Sequence, residues 1–347
     1  MFIKTMVCLA TAGSVALGAA PAMASDAGLF GSGDPTYDGS YRQSLSILAL
    51  KAAGKKVPAD SVRWLKRQQC PNGGLVEYKA TAKTPCPAPD PVNLIGPDLN
   101  ATAVAVAALL ETGNRKQARK AARWIVRKQN SDGGWSYVPG PGATSDSTST
   151  ALALASAALV DVPAGSRYLR GLQKRCDAPS ADRGGLTFDS SLTEVSAGST
   201  GQVAWLLGGG LELPAPVPLG KSAPALKCKG TGPAGKGSTY RAALGYLARQ
   251  LKADKGLLPY GGGYPGTDYA GTASAALALA NAGAGRKAVR LTVRKLARDA
   301  DSWITSLGYE NPGATALLIL LAEAAGDDPR DFGGLDLIKR LNDSRQR

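Results

Sequence analysis

The sequence predicts an all-α fold: six apolar inner helices ringed by six amphipathic outer helices, an α/α toroid stabilised by disulfides. Three observations predict it. Apolar and basic amphipathic stretches alternate six times. Four of the basic stretches end on a glutamine, a turn, a glycine and a large apolar residue. Three of the apolar stretches open on an aspartate four residues before a threonine.

The chain begins with a short basic start, Met1 to Lys4, then a small apolar run, Met6 to Ala20. Ala22-Met23-Ala24 offers an A-x-A site, so residues 1–24 read as a secretory signal peptide cleaved after Ala24. Residues 25–37 read as an N-terminal extension and 38–347 as the toroid, with an insertion loop at 212–237. The leader holds one lysine and no acid, so the net charge of +14 falls to +13 on its removal. No later stretch is long enough to span a bilayer. The expected mature chain is soluble and exported.

Cys8 would leave with the leader. Cys70, Cys86, Cys176 and Cys228 remain, and export favours two disulfides. Four cysteines allow three pairings. Cys70–Cys86 is favoured because the pair flanks one proline-rich loop; Cys176–Cys228 follows by elimination, although the insertion separates the two. The wide spacing argues against zinc. With no histidine in the chain, Ser-His-Asp triads, Cys-His dyads and His-ligated zinc are excluded. No metal and no cofactor is expected.

The apolar stretches, such as Ala103 to Leu110 and Ala314 to Ala322, have no polar face, which marks helices buried on every side. Inner helices are expected at 40–53, 99–112, 147–160, 195–209, 269–282 and 312–325. In the basic stretches Lys116, Arg119, Lys120, Arg123 and Arg127 share one face, and Ala118, Ala121, Ala122 and Ile125 mark the other. Outer helices are expected at 58–69, 114–129, 164–175, 238–252, 285–305 and 333–345. "RWLKRQQCPNGGLVEY", "RWIVRKQNSDGGWSY", "RYLRGLQKRCDAPSADRGGLTF" and "YLARQLKADKGLLPY" close four outer helices at Gln69, Gln129, Gln173 and Gln250. The glycines permit a tight helix stop. Trp135 is placed to wedge between hairpins.

"ARWIVRKQNSDGGW" resembles the Gln-Trp repeat of the squalene–hopene cyclase and protein prenyltransferase superfamily. The D-x-x-x-T-A start of the following helix resembles that family too. The resemblance implies the α/α toroid over essentially all of the mature chain. Class II terpene cyclases protonate an alkene with the middle Asp of D-x-D-D-T-A. At the matching positions this chain has Thr148, Asn100 and Ala270, none of which can deliver that proton. Only the first aspartates survive: Asp98, Asp146 and Asp268, each a good helix N-cap. The inner helices lack the aromatic wall that stabilises carbocations, with Tyr41 and Trp205 as exceptions. Prenyltransferase zinc needs a histidine, and the thioester Cys-Gly-Glu-Gln run of the complement toroids is absent. The resemblance therefore implies a kept fold with these chemistries lost. Asp146 is the best candidate acid should turnover survive.

In a toroid every outer-to-inner loop emerges at one rim. Those loops carry Tyr37, Tyr78, Trp135, Tyr137, Phe188, Tyr260, Tyr264, Tyr269 and Tyr309, beside Asp98, Asp146, Glu194 and Asp268. The expected ligand-binding set is Asp98, Asp146, Asp268, Trp135, Tyr137, Tyr260, Tyr264 and Tyr269, for a small apolar ligand. Resemblance to vitamin B12 carriers implies a corrinoid-like ligand as one form of it. Two further readings stand beside non-catalytic binding: a cyclase or prenyltransferase-like enzyme with a divergent acid, and a structural protein whose basic wall meets an anionic envelope surface. Nucleic acid is not expected, because the basic helices lack interleaved aromatics.

Overall fold

The computed structural model describes residues 26–156, 163–209, 211–228, 238–306 and 308–347. The expected signal peptide, 1–24, lies outside the described residues, as do 157–160 of the third inner helix and 229–237 of the insertion. The inner helices are α1 (Pro35–Ala52), α3 (Leu99–Glu111), α5 (Ser147–Ser156), α7 (Ala197–Leu207), α9 (Tyr269–Asn281) and α11 (Pro312–Ala325). The outer helices are α2 (Ala59–Arg67), α4 (Arg115–Val126), α6 (Pro163–Leu172), α8 (Thr239–Ala253), α10 (Arg286–Ile304) and α12 (Leu337–Asp343). Each inner helix packs on the next, and α11 returns to α1 to close the ring; each outer helix packs on its own inner partner. This is the predicted α/α toroid.

The repeat is a set of hydrogen-bonded locks between consecutive hairpins. Gln69 Nε2 donates to Gly73 O at 3.1 Å and to Gln117 O of α4 at 3.0 Å. Gln173 Nε2 repeats this with Gly184 O and Thr239 O of α8, both at 2.9 Å. The first glycine must be glycine. Gly73 has φ +109° and a Cβ there would stand 2.5 Å from Lys120 O; at Gly184, φ +94°, it would stand 2.2 Å from Ala242 O. The second glycine lies under an aromatic ring of the next outer helix: Gly74 under Trp124, Gly134 beside Tyr168, Gly185 beside Tyr246. The apolar residue after it donates its N–H to the helix threonine: Leu75 to Thr102 (2.8 Å), Trp135 to Thr150 (3.0 Å), Leu186 to Thr200 and Leu258 to Thr272 (2.9 Å each). Glutamine, glycine, aromatic and threonine thus form one connection, so each hairpin is completed by its successor.

All but one of the expected outer helices run past the observed ends; α8 ends at Ala253, one residue beyond the expected 252. α2, α4 and α6 stop at Arg67, Val126 and Leu172, because Gln69 and Gln173 leave the helix to bridge Leu75 and Leu186. α12 starts at Leu337 rather than 333, since Asp336 caps it after a short turn in which Phe332 bridges Leu335. A two-residue hairpin, β1 (Thr305–Ser306) with β2 (Tyr309–Glu310), precedes α11 and was not anticipated.

The ends of the chain zip together. Gly28 N donates to Gln346 O (2.9 Å), Gly31 N to Ser344 O (2.9 Å) and Gln346 N to Leu29 O (2.8 Å). Buried Gln43 and Arg42 of α1 hold this segment through the carbonyls of Gly28, Phe30, Gly33 and Asp34. Disulfides join Cys70 to Cys86 and Cys176 to Cys228, as expected. The second ties the described part of the insertion, 212–228, to the end of the third hairpin. That strap crosses the opposite rim: Gly220 N donates to Gly283 O (2.7 Å), and Arg286 N to Gly220 O (2.9 Å).

Candidate functional site

The repeat aspartates gather at the rim where the inner helices begin. Each places Oδ1 on the N–H of the third helical residue: Asp98 on Ala101, Asp146 on Ser149, Asp268 on Gly271, all at 2.7 Å. Ser196 and Asn311 take the same position on α7 and α11. All three aspartates are buried. Burial removes water from the carboxylates and raises their pKa values: Asp146 to about 6 against the pull of its own cap bonds, and Asp268 upward for the same reason.

Asp98 has a neighbour that sequence reasoning missed. Leu75 bridges Asp98, which carries Glu77, two residues on, toward the same helix start. Glu77 Oε2 accepts from Ser40 N at 2.9 Å and Tyr41 N at 3.1 Å. α1 breaks at Asp38 (φ −150°, ψ 15°), so Glu77 supplies from another loop the cap that the longer part of α1 lacks. Asp98 Oδ2 is buried with no donor of its own. A proton on Glu77 supplies one, and the two carboxyls then share a hydrogen bond. Burial, with Asp98 and Asp38 as like charges, drives Glu77 well above the usual carboxylate range; burial pushes Asp98 up to about 7. Both shifts favour a proton on this pair. The only signal in the sequence was position: the residues matching Glu77 in later repeats are Tyr137, Phe188 and Tyr260.

The aromatics divide into two groups. Trp135 is fully buried; its Nε1 donates to Ile125 O at 2.8 Å, and its ring packs at Gly165. It serves the framework. Tyr137 is half-buried, and its carbonyl accepts from Leu99 N at 2.7 Å. Tyr269 stacks on Trp303 with centroids 5.6 Å apart and an interplanar angle of 19°. Its hydroxyl donates to Asp299 Oδ2 at 3.4 Å. Tyr260 is half-buried, while Tyr264 next to it on a glycine-rich loop is 56 % exposed.

The rim also displays large apolar groups outside the expected set. Tyr37 is 70 % exposed, Val92 87 % and Ile95 48 %, and Leu94 and Tyr309 are exposed too. Val92, Leu94 and Ile95 project from a loop shaped by Asp90. Its Oδ1 accepts from Val92 N (3.0 Å) and Asn93 N (3.1 Å), and its backbone pairs with Ile95. Leu94 sits at φ +59°, a strained value for a leucine, and Cys70–Cys86 anchors the loop.

The middle of the ring is packed. Asn100, Thr148, Gln202 and Trp205, on three successive inner helices, are all buried. α7 and α9 approach so closely that a Cβ at Gly201 would stand 2.9 Å from Gly271 O. Two concavities of about 460 and 410 Å³ lie at the opposite rim, one beside Val217, Arg286 and Arg290, the other beside Lys55, Lys56 and Lys339. Among the described residues no three His, Cys, Asp or Glu side chains converge to hold a metal ion, and no helix is long and apolar enough to cross a membrane.

No protein-family model and no curated protein sequence matches this chain. Solved structures do. A protein from Actinoplanes matches with 16 % identity and TM-score 0.53 over 84 % of this chain and 90 % of its own. A protein described as a novel alpha-amylase from Clostridium perfringens matches with 13 % identity and TM-score 0.53 over 83 % and 86 %. ent-Copalyl diphosphate synthase from Streptomyces platensis matches with 15 % identity and TM-score 0.47; the alignment covers 84 % of this chain and 51 % of the synthase, about half its length. At such identities the likeness is one of fold alone. The chain has an α/α-toroid fold.

Proposed function

We propose that this protein is an exported, non-catalytic toroid that binds a small apolar ligand across its mouth. One observation carries the reading. Of the exposed large apolar side chains among the described residues, Tyr37, Val92, Leu94, Ile95, Tyr264 and Tyr309 share the rim where the inner helices begin; only Leu110 and Val217 lie elsewhere. Such a patch marks an interaction site. Tyr260, Tyr264 and Tyr269 would face the ligand, with Tyr137, Asp98, Asp146 and Asp268 behind them and Trp135 as support. A flat corrinoid-like molecule and a linear isoprenoid both fit this chemistry. Native mass spectrometry of the purified protein against isoprenoid and corrinoid libraries should retain a ligand, and Tyr264→Ser with Ile95→Ser should release it. If nothing is retained at micromolar concentrations, the reading fails.

A second reading, turnover with a divergent acid, is favoured by the Glu77–Asp98 pair. A half-buried carboxyl whose pKa is raised, at the mouth of a toroid, is the part such chemistry needs. Its test is incubation with squalene and prenyl diphosphates, where a product lost in Glu77→Gln or Asp146→Asn would support it. The outer wall carries a third reading, contact with an anionic envelope polymer, through its net positive charge.

A further inference from the structure

The geometry points to α4 as a binding stripe for a linear polyphosphodiester, an inference that rests on the reading of the outer wall as an envelope contact and is independent of the mouth. Arg115, Lys116, Arg119, Lys120, Arg123 and Arg127 are all exposed on or just past α4, and the helix contains no acid. Its other face is buried through Ala118, Ala121, Ala122, Trp124 and Ile125, so the orientation is fixed. Like charges three and four residues apart repel one another along the whole stripe.

Ion pairs relieve that repulsion elsewhere. On α10, equally basic, Arg290 pairs with Asp327 and Arg298 with Asp299. Among the described residues, no side chain of α4 makes an ion pair; Arg127 donates only to the carbonyl of Asn72. The stripe from Lys116 to Arg127 is about 16 Å long, with a cation roughly every 6 Å. That length and spacing suit a chain of repeating phosphates. The other polyanions fit less well. The stripe lies on the convex outside of a ring and none of the exposed large apolar side chains is on α4, so a bilayer has neither a flat face nor an anchor. Nucleic-acid bases would find no aromatic platform there.

The test is binding of the purified protein to poly(glycerol phosphate) over a range of salt concentrations. Parallel arms use inorganic phosphate and vesicles of equal parts phosphatidylglycerol and phosphatidylcholine. Log affinity should fall with log salt at a slope of about −3, the value for roughly four phosphate contacts on a flexible strand. Lys116→Glu, Lys120→Glu and Arg123→Glu together should weaken binding at least tenfold and flatten the slope by about 2. All three positions are exposed, so the fold should survive, which circular dichroism checks. Lys287→Glu with Arg294→Glu on α10 should change binding less than threefold. If the α10 pair is as damaging as the α4 triple, the stripe is wrong and the wall reading stands. If the unaltered protein does not bind the polymer even at low salt, both fail. Tighter binding to the vesicles, or binding of inorganic phosphate as tight as that of the polymer, overturns the linear-polymer assignment.

Discussion

Asp98 and Asp268 occupy the same place in the repeat, yet they live in different surroundings. Both cap an inner helix through Oδ1 at 2.7 Å. Beyond that bond they part. Asp98 Oδ2 faces the carboxyl of Glu77, while Asp268 Oδ2 is walled by backbone, so close that a Cβ at Gly198 of α7 would stand 2.2 Å from it. One aspartate is coupled to a second acid, and the other is shut in by a glycine contact. The repeat dictates what one oxygen does; the neighbouring hairpin decides the fate of the other. A repeat protein can therefore carry a distinctive acid at one junction without disturbing the pattern at the rest.

Four substitutions sharpen that comparison, beginning with the largest effect. Gly198→Ala forces a methyl group against Asp268 and the close α7–α9 contact. It should cost about 3 kcal/mol, the upper end for overpacking, although Gly→Ala within a helix otherwise gains up to about 1 kcal/mol. Denaturant unfolding measures it, and a stabilised variant would mean that the wall around Asp268 is soft. Next, Asp268→Ala and Asp98→Ala each remove a cap worth about 1–2 kcal/mol. At pH 8 the Asp98 variant should lose less, because it also removes a like charge from beside Glu77. Equal losses at pH 8 would break the proposed coupling.

The smallest effect is the most specific. Folding raises the Glu77 and Asp98 pKa values, so the folded protein holds protons that the unfolded chain releases. The Asp98 share of this stability is complete below the unfolded carboxylate range near pH 4 and is lost as pH rises through about 7. Glu77→Gln keeps an acceptor for Ser40 and Tyr41, adds a donor toward Asp98 and does not titrate. It should be about 1 kcal/mol more stable than the unaltered protein at pH 8, with a flatter pH profile. Thermal unfolding at pH 5 and pH 8 reads both numbers, and a steeper profile in the variant would show that the pair shares no proton.

Much of this architecture is legible in residue order. The all-round apolar runs mark the inner helices, and α11 starts and ends where the pattern does, at 312 and 325. The glutamines and glycine pairs announce the turns. Trp135 shows the limit of such reading. Its place in the repeat is equally consistent with a wedge and with a ligand contact, and only its burial and its bond to Ile125 O assign it to the framework. Tyrosines mark the mouth in the sequence, but its most exposed large apolar side chain, Val92, belongs to a loop in which Asp90 turns the backbone. Apolar loop residues are not distinguishable from core residues by type, so no pattern flagged them.

By itself the sequence determined the alternation of helices, the capping aspartates, the glycine turns and a basic wall, because each depends on residues within one hairpin or along one helix. The tertiary structure alone decided that Glu77 meets Asp98, that α7 and α9 close on one another, and that apolar groups from separate loops share a rim. Those features join residues of different hairpins. Local hydrogen-bond chemistry cannot encode such meetings; they follow from how the ring closes and from which groups lose their water when it does.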